Sequence, residues 1–228
     1  MQILTPIVPG PGEPVVADWH PVALADLVER LRVLTAGGDT VPLVAVDGRG
    51  GGGKSTLAAR LAAATPGAAV IAIDDLVWNA PLFDWADLAR EGILAPVAEG
   101  RAVRYRPPAW QTHGRDGVIE APADASMIVL EGVGASCREI ADGLAAAIWV
   151  QSDFAEAERR GLARDIASGV NGDAEESTRF WHEWMAAELA FLAADRPWQR
   201  ADLVVAGTRP GAHPVADGPI LISPGPLR

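Results

Sequence analysis

The sequence has one cysteine, Cys137, among its 228 residues. A single cysteine excludes an internal disulfide framework and suits a reducing compartment, so we predict a cytoplasmic protein. The sequence has no run of ~18 or more apolar residues, so no segment is predicted to span a membrane. Prolines interrupt the N-terminal segment, and no Lys or Arg precedes an apolar stretch there, so we predict no signal peptide.

Positive charge is also scarce in this chain. The 19 Lys and Arg residues stand against 30 Asp and Glu residues, which gives a formal net charge of −11 at pH 7. A surface of this charge repels nucleic acids and anionic membranes, so we predict neither as a partner. Hydrophobic residues make up 49% of the chain, which is enough to bury the core of one α/β domain. The sequence leaves a monomer and a homodimer equally open.

Short apolar runs alternate with helical patterns along the chain. The runs predicted as buried strands cover residues 41–46, 69–73, 127–130, 145–150 and 203–205. The apolar spacing predicts helices over residues 21–34, 54–64, 154–166 and 178–194. This alternation predicts an α/β fold with a central parallel sheet flanked by helices. Pro and Gly are frequent at both ends, so we predict an irregular arm at 1–18, one domain at 19–208 and an irregular tail at 209–228.

A glycine-rich segment lies between a predicted strand and a predicted helix. Residues 48–55 match the pattern G-x-x-x-x-G-K-[ST] in full. Glycines let successive backbone N–H groups turn inward around a phosphate, and the N-terminus of the next helix adds partial positive charge. We therefore predict a P-loop that binds ATP, with Lys54 on the β- and γ-phosphates and the Ser55 hydroxyl on Mg²⁺. The predicted nucleotide-binding residues here are Gly48, Arg49, Gly50, Gly51, Gly52, Gly53, Lys54, Ser55 and Thr56.

Acidic residues close two of the predicted strands. Asp74 and Asp75 follow one strand, and Glu131 follows another. Ligands of open parallel sheets bind at the carboxyl ends of the strands, where a carboxylate can hold a metal or accept a proton from an attacking hydroxyl. A turn cap for the aspartate pair and a salt bridge for Glu131 are the alternatives.

The order of the motifs resembles that of the uridine kinase and phosphoribulokinase family, over about residues 40–206. The matching motifs are Val46-Asp47-Gly48-Arg49 through Lys54-Ser55-Thr56, then Asp74-Asp75, Tyr105-Arg106-Pro107, Leu130-Glu131-Gly132 and Arg160 with Arg164-Asp165. The resemblance implies a P-loop kinase fold with a small lid at about 154–175. It departs from the family at Leu76, where an aromatic residue is usual, and Trp78 stands two places later.

The resemblance also implies roles for individual residues. Asp74 takes the place of the catalytic base, and Glu131 that of the carboxylate near Mg²⁺. We expect Asp75 to face the metal. The sequence alone does not fix which of Asp74 and Asp75 is the base and which faces the metal. With the phosphates on the P-loop, the adenine is expected over the loop after the last strand, at Gly207, Thr208 and Arg209.

Two arginines four residues apart lie on the helix predicted over 154–166. Arg160 and Arg164 share one face of that helix. The resemblance implies that they belong to the lid, and guanidinium groups neutralise the charge of a phosphoryl group in transfer. A solvated face on which Glu156 and Asp165 pair with these arginines is the alternative.

A basic segment at residues 101–115, which we call the flap, contains four arginines and no acid. Arginines suit carboxylates or phosphates, and aromatic faces suit a flat or sugar-like ring, so we predict an acceptor site for a small molecule, neutral or anionic. The alternative is a surface segment whose arginines pair with acids elsewhere. The predicted acceptor-contacting residues are Asp74, Arg104, Tyr105, Arg106 and Trp110.

These features together favour an ATP-dependent kinase that acts on a hydroxyl of a nucleoside-like, sugar-phosphate-like or vitamin-like acceptor. A nucleoside monophosphate kinase would use the arginines of the flap but would leave Asp74 little to do. A partition-type ATPase or nucleotide switch is a third hypothesis, because Arg49 stands where those ATPases carry a second lysine. The sequence contains no Asn-Lys-x-Asp guanine signature.

Overall fold

The computed structural model of the protein describes residues 6–208 and 218–226. Its strands are β1 (His20–Val22), β2 (Leu43–Gly48), β3 (Ala68–Ala72), β4 (Val103–Tyr105), β5 (Ile119–Ala121), β6 (Met127–Glu131), β7 (Ala146–Gln151), β8 (Leu203–Ala206) and β9 (Ile220–Pro224). Its α-helices are α1 (Leu24–Leu34), α2 (Lys54–Ala64), α3 (Ile73–Leu76), α4 (Ala86–Ala89), α5 (Ala95–Ala98), α6 (Pro108–Thr112), α7 (Phe154–Ser168) and α8 (Ala174–Asp195).

Seven strands form the main sheet, in the order β1-β9-β8-β7-β2-β6-β3. The five strands from β8 to β3 are parallel, which confirms the predicted α/β fold. Both faces of β2 are buried because its side chains alternate between two cores. Val44 and Val46 pack toward α1 and α2, whereas Leu43 and Ala45 pack on the opposite face. The P-loop therefore begins at a strand that is fixed from both sides.

The antiparallel edge of the sheet corrects the predicted element pattern. The tail at 209–228 was expected to be irregular, but residues 220–224 form β9, which pairs antiparallel with β8. β1 then pairs with β9, where the sequence analysis expected the start of a helix at residue 21. These short strands lie among prolines and glycines, and their partners are distant in the chain, so no local pattern marks them.

The region at 79–125 has no clean period in the sequence, and the structure explains why. A π-helical turn, Arg90–Leu94, joins α4 to α5 and interrupts the regular helical spacing. The antiparallel pair β4 and β5 then flanks α6, so the flap at 101–115 runs from β4 through α6. Gly92 lies against the ring of Tyr105, so the flap packs on this turn.

Helices α7 and α8 form a hairpin after β7. The Asp153 side chain caps α7, and a capping box of Asp173 and Glu176 starts α8 four residues earlier than the apolar spacing indicates. Trp181 of α8 packs directly on Gly161 of α7, where a Cβ would lie 2.0 Å from the indole. The predicted lid at 154–175 corresponds to α7 and the turn into α8. In the described part of the chain, no helix has the length and apolar character needed to cross a membrane.

Candidate active site

The P-loop joins the carboxyl end of β2 to the first residue of α2. Gly51 and Gly53 have φ angles of 71° and 97°, which side chains rarely adopt. A Cβ at Gly51 would also lie 2.1 Å from the carbonyl oxygen of Ala157 in α7. The Lys54 ammonium is nearly buried and donates to the carbonyl oxygen of Arg49 at 2.7 Å. The loop thus holds its own lysine in place before a nucleotide arrives.

Ser55 and Glu131, the residues predicted to bind Mg²⁺, lie together at the strand ends. The Ser55 hydroxyl is 3.2 Å from each carboxylate oxygen of Glu131, the last residue of β6. Burial raises the pKa of Glu131, while the charge of Lys54 acts to lower it and the charge of Asp74 adds to the increase. A hydroxyl and a carboxylate are oxygen ligands of the kind Mg²⁺ uses when phosphates and water supply the rest. These two residues therefore fit the predicted metal.

Asp74 and Asp75, at the start of α3, have different surroundings. Asp74 is exposed and close enough to Glu131 to affect its pKa, so the structure brings it to the P-loop side. The Asp75 carboxylate instead pairs with Arg115, and its carbonyl oxygen accepts a hydrogen bond from the Trp110 indole at 2.8 Å. The geometry thus separates the two acids, and it gives no support to the metal-side role expected for Asp75.

Arg115 is the last residue of the flap, and the sequence analysis did not predict it to contact the acceptor. The Arg115 guanidinium lies 3.8 Å from the Trp110 ring centroid and 5.5 Å from that of Trp78. Arg106 donates to the carbonyl oxygen of Arg115 at 2.9 Å, and no ion pair joins it to any residue in the described ranges. Trp110 is buried, whereas Trp78 is only partly buried, so solvent reaches the Trp78 indole.

Other predicted contacts of the flap lie away from this cluster. Arg104 pairs with Glu120 across β4 and β5 and is largely exposed. Arg101, also exposed, pairs with Glu99 two residues earlier in the chain. The Tyr105 ring contacts Gly92, and burial raises the pKa of its hydroxyl. Most of the flap's arginines thus have acidic partners within the chain, as the surface alternative expects.

The arginines of α7 also have carboxylate partners. Arg160 donates from Nε to Glu156 at 2.7 Å, and Arg164 pairs with Asp165. Arg164 remains largely exposed, and its charge acts to lower the pKa of Glu131. The charge of Arg164 thus acts at the candidate metal site, and Arg160 pairs with Glu156 on its own helix.

Residues beyond the P-loop brace its backbone. Thr208 donates from its hydroxyl to the carbonyl of Gly51 at 2.9 Å and from its amide to that of Gly52 at 3.0 Å. The Ser152 hydroxyl donates to the Gly52 carbonyl at 3.0 Å. The predicted adenine contact Arg209 lies outside the described residues. The loop after β8 thus lies against the P-loop, while its contact with adenine stays a prediction.

Arg49 does not face the nucleotide side of the P-loop. Its guanidinium is buried and pairs with Glu13 of the N-terminal arm and with Glu188 of α8. The sequence analysis missed both acids. Glu188 had a detectable signal, because it lies seven residues after Trp181 on the buried face of α8. Glu13 had none, since it lies in a segment without periodicity.

Asp47, directly before the P-loop, fixes the neighbouring loop after β6. Its buried carboxylate accepts hydrogen bonds from the amides of Gly48, Gly134 and Ser136 and from the Ser136 hydroxyl, at 2.7 to 2.9 Å. Four donors on one carboxylate make this a structural anchor and not a reacting group.

Comparison with known proteins gives the fold. No protein-family model and no curated protein matches the chain. A solved structure from Silicibacter sp. TM1040, assigned as a fructose transport system kinase, matches with 22% identity and a TM-score of 0.52, over 74% of this chain and 95% of that one. A structure from Bacillus stearothermophilus, assigned as a uridine kinase, matches with 17% identity and a TM-score of 0.48, over 78% of this chain and 98% of that one. The protein shares its fold with the Silicibacter structure, and the predicted α/β fold is confirmed.

Proposed function

We propose that this protein is an ATP-dependent kinase that transfers the γ-phosphoryl group of ATP to a hydroxyl group of a small molecule. The observation that carries the proposal is the convergence of the P-loop, the Ser55–Glu131 pair and the exposed carboxylate of Asp74 at one edge of the sheet. A loop that only bound nucleotide would need no carboxylate placed for proton transfer.

Different residues are proposed to bind the phosphates, hold the metal and accept the proton. Backbone N–H groups of the P-loop bind the phosphates, and Lys54 exchanges its hydrogen bond to Arg49 for the β- and γ-phosphate oxygens. Ser55 and Glu131 would hold Mg²⁺, which would neutralise charge on those phosphates. Asp74 accepts the proton of the acceptor hydroxyl as its oxygen bonds to the γ-phosphorus. The bond from that phosphorus to the β,γ-bridging oxygen breaks, and ADP leaves.

The acceptor is proposed to bind between Asp74 and the flap. Trp78 offers a partly open aromatic face, and Arg106 is the flap arginine without an acidic partner among the described residues. A nucleoside-like, sugar-phosphate-like or vitamin-like molecule fits this combination, and Arg106 would bind an anionic group on it. Because Arg101, Arg104 and Arg115 pair with acids of the chain, a nucleoside monophosphate kinase is less well supported.

The buried position of Arg49 also weakens the third hypothesis. In a partition-type ATPase, the basic residue at this place in the loop would have to act on a nucleotide. Here its guanidinium lies between two carboxylates of its own chain. The hydrolytic switch therefore has no specific observation in its favour.

ADP release with a panel of acceptors tests the proposed function. The panel contains nucleosides, sugar phosphates, hydroxy acids and nucleoside monophosphates, and each anionic acceptor is paired with a neutral analogue. We expect one acceptor class to raise ADP release well above the rate without acceptor, with formation of the phosphorylated product. ADP release that no acceptor changes, in a protein that binds Mg·ATP, would favour the switch.

A further inference from the structure

The N-terminal arm makes direct contact with the P-loop. Glu13 is buried and its carboxylate accepts a hydrogen bond from Nε of Arg49. Gly10 lies so close to the same guanidinium that a Cβ there would be 2.3 Å from its nitrogen atoms. The described part of the arm has an irregular backbone and is exposed over much of its length, but it buries Ile7, Gly10 and Glu13.

Backbone hydrogen bonds hold the arm in this position. The amide of Val8 donates to Asp153 at 3.2 Å, and its carbonyl accepts from the amide of Phe154 at 2.9 Å. The Gln151 side chain donates to the carbonyl of Pro14 at 2.7 Å. The arm is therefore fixed to the end of β7 and the start of α7, on both sides of Glu13.

Glu188 of α8 completes the contact from the other side. One carboxylate oxygen accepts from the Gly50 amide at 2.7 Å, and the other lies 3.5 Å from a terminal nitrogen of Arg49. Glu188 is 2% exposed and Arg49 is equally buried, so the surrounding protein excludes water from these charges. Buried ion pairs of this kind fix geometry strongly, because a lost partner leaves an uncompensated charge.

Arg49 also contacts the residues that are proposed to bind phosphate. Its carbonyl oxygen accepts from the Lys54 ammonium at 2.7 Å and from the Gly52 amide at 3.1 Å. The side chain and the carbonyl belong to one residue, so fixing the guanidinium fixes the peptide that places Lys54. A binding loop held in shape before its ligand arrives loses less entropy on binding.

We propose that Glu13 and Glu188 are positioning residues that clamp Arg49 and hold the P-loop ready for nucleotide, which makes the N-terminal arm part of the nucleotide site. The inference rests on the proposed binding of ATP at the P-loop. Mg·ATP binding by the wild type, compared with binding by Lys54→Ala, tests that premise separately. If the wild type has no measurable affinity for Mg·ATP, the proposed function itself is refuted.

The test compares Glu13→Gln and Glu188→Gln with a matched control, Asp195→Asn. Asp195 is also a buried carboxylate of α8, but its partners are Arg200 and Arg138, outside the P-loop. We expect all three variants to unfold at lower temperature. Only the two clamp variants should bind Mg·ATP on the order of tenfold to a hundredfold more weakly, measured by calorimetry well below their unfolding temperatures. Glu188→Asp, which keeps the charge, should recover part of the affinity.

Equal Mg·ATP affinity in wild type and both folded clamp variants would overturn the proposal, as would an equal loss in Asp195→Asn. Should the clamp variants fail to fold, amide exchange of the wild type decides the question. We expect the amides of Gly50 and Gly52 to be protected without nucleotide. Exchange of these amides at the rate of an unstructured chain, with protection only after Mg·ATP is added, would show that no clamp exists.

Discussion

The carboxylate of Asp75 pairs with the guanidinium of Arg115, which lies 40 residues later in the chain, in the flap. The Trp110 indole holds the backbone of Asp75 as well, at 2.8 Å. Asp74 is left exposed, with its charge acting on Glu131. The two acids, which the sequence could not tell apart, are therefore expected to have different functions.

Asp74→Asn should lower kcat by about 10²–10⁴, because the amide cannot accept the proton of the acceptor hydroxyl. The affinity for Mg·ATP should change little, since the phosphates bind to the P-loop. The measurement is steady-state turnover with the best acceptor from the panel, together with Mg·ATP binding by calorimetry. A reduction of less than tenfold in kcat would mean that Asp74 only caps the turn, and that the active site has been misplaced.

Asp75→Asn should act on the acceptor and not on the metal. Loss of the carboxylate releases Arg115 from its ion pair and loosens the flap, so we expect KM for the acceptor to rise while the Mg²⁺ dependence stays that of wild type. Arg104→Gln is a matched control on the same flap, because Arg104 is largely exposed and pairs with Glu120 instead of Asp75. A shift in the Mg²⁺ requirement of Asp75→Asn would instead restore the metal-side role that the sequence suggested.

The parts of the structure that the sequence predicted depend on patterns within short windows. The P-loop pattern, the apolar run of β2 and the spacing of α2 are local, and the structure has α2 at the predicted residues, Lys54–Ala64. The contacts that it could not predict join distant parts of the chain. Arg49 and Glu188 are 139 residues apart, and Asp75 and Arg115 are 40 apart. Burial of such pairs depends on the whole fold, so no periodicity records it.

The thiol of Cys137 should be unreactive in the folded protein. Burial, followed by the nearby charge of Glu139, raises the pKa of this thiol to about 12, so almost no thiolate exists at pH 8. We expect a disulfide reagent to release no chromophore from the native protein and one equivalent after denaturation in guanidinium. Fast reaction of the native protein would show that the region around Cys137 opens.

The ion pairs of Glu156 on α7 give a pH dependence with a definite sign. Arg159, followed by Arg160, lowers the pKa of this carboxyl from 4.5 to about 2. The stabilisation is complete above the unfolded value and is lost as the pH falls from 4.5 toward 2, because only the unfolded chain takes up a proton in that range.

The difference in unfolding midpoint between wild type and Glu156→Gln should therefore be constant at neutral pH and shrink on acidification. Denaturant titrations at a series of pH values measure it. Arg159→Gln should move the pKa of Glu156 back toward its ordinary value, which a carboxyl NMR titration would detect. A difference that grows as the pH falls would contradict the ion pairs seen on α7.

Lys54 is the only lysine in the sequence, and this allows a test of the nucleotide site that needs no acceptor. Its ammonium is nearly buried and donates to Arg49, whereas bound ATP would cover it with phosphates. An amine-acylating reagent should therefore modify Lys54 slowly in the free protein and more slowly still with Mg·ATP, as read by peptide mass spectrometry. The control is labelling in guanidinium, where unfolding exposes Lys54 and Mg·ATP should make no difference. Lys54→Ala should in turn lower kcat by at least about 10², because it removes the positive charge that stabilises the transferring phosphoryl group. It removes little packing, so the fold should persist. Labelling of Lys54 that Mg·ATP leaves unchanged, together with near-normal turnover of Lys54→Ala, would refute the kinase proposal at its first step.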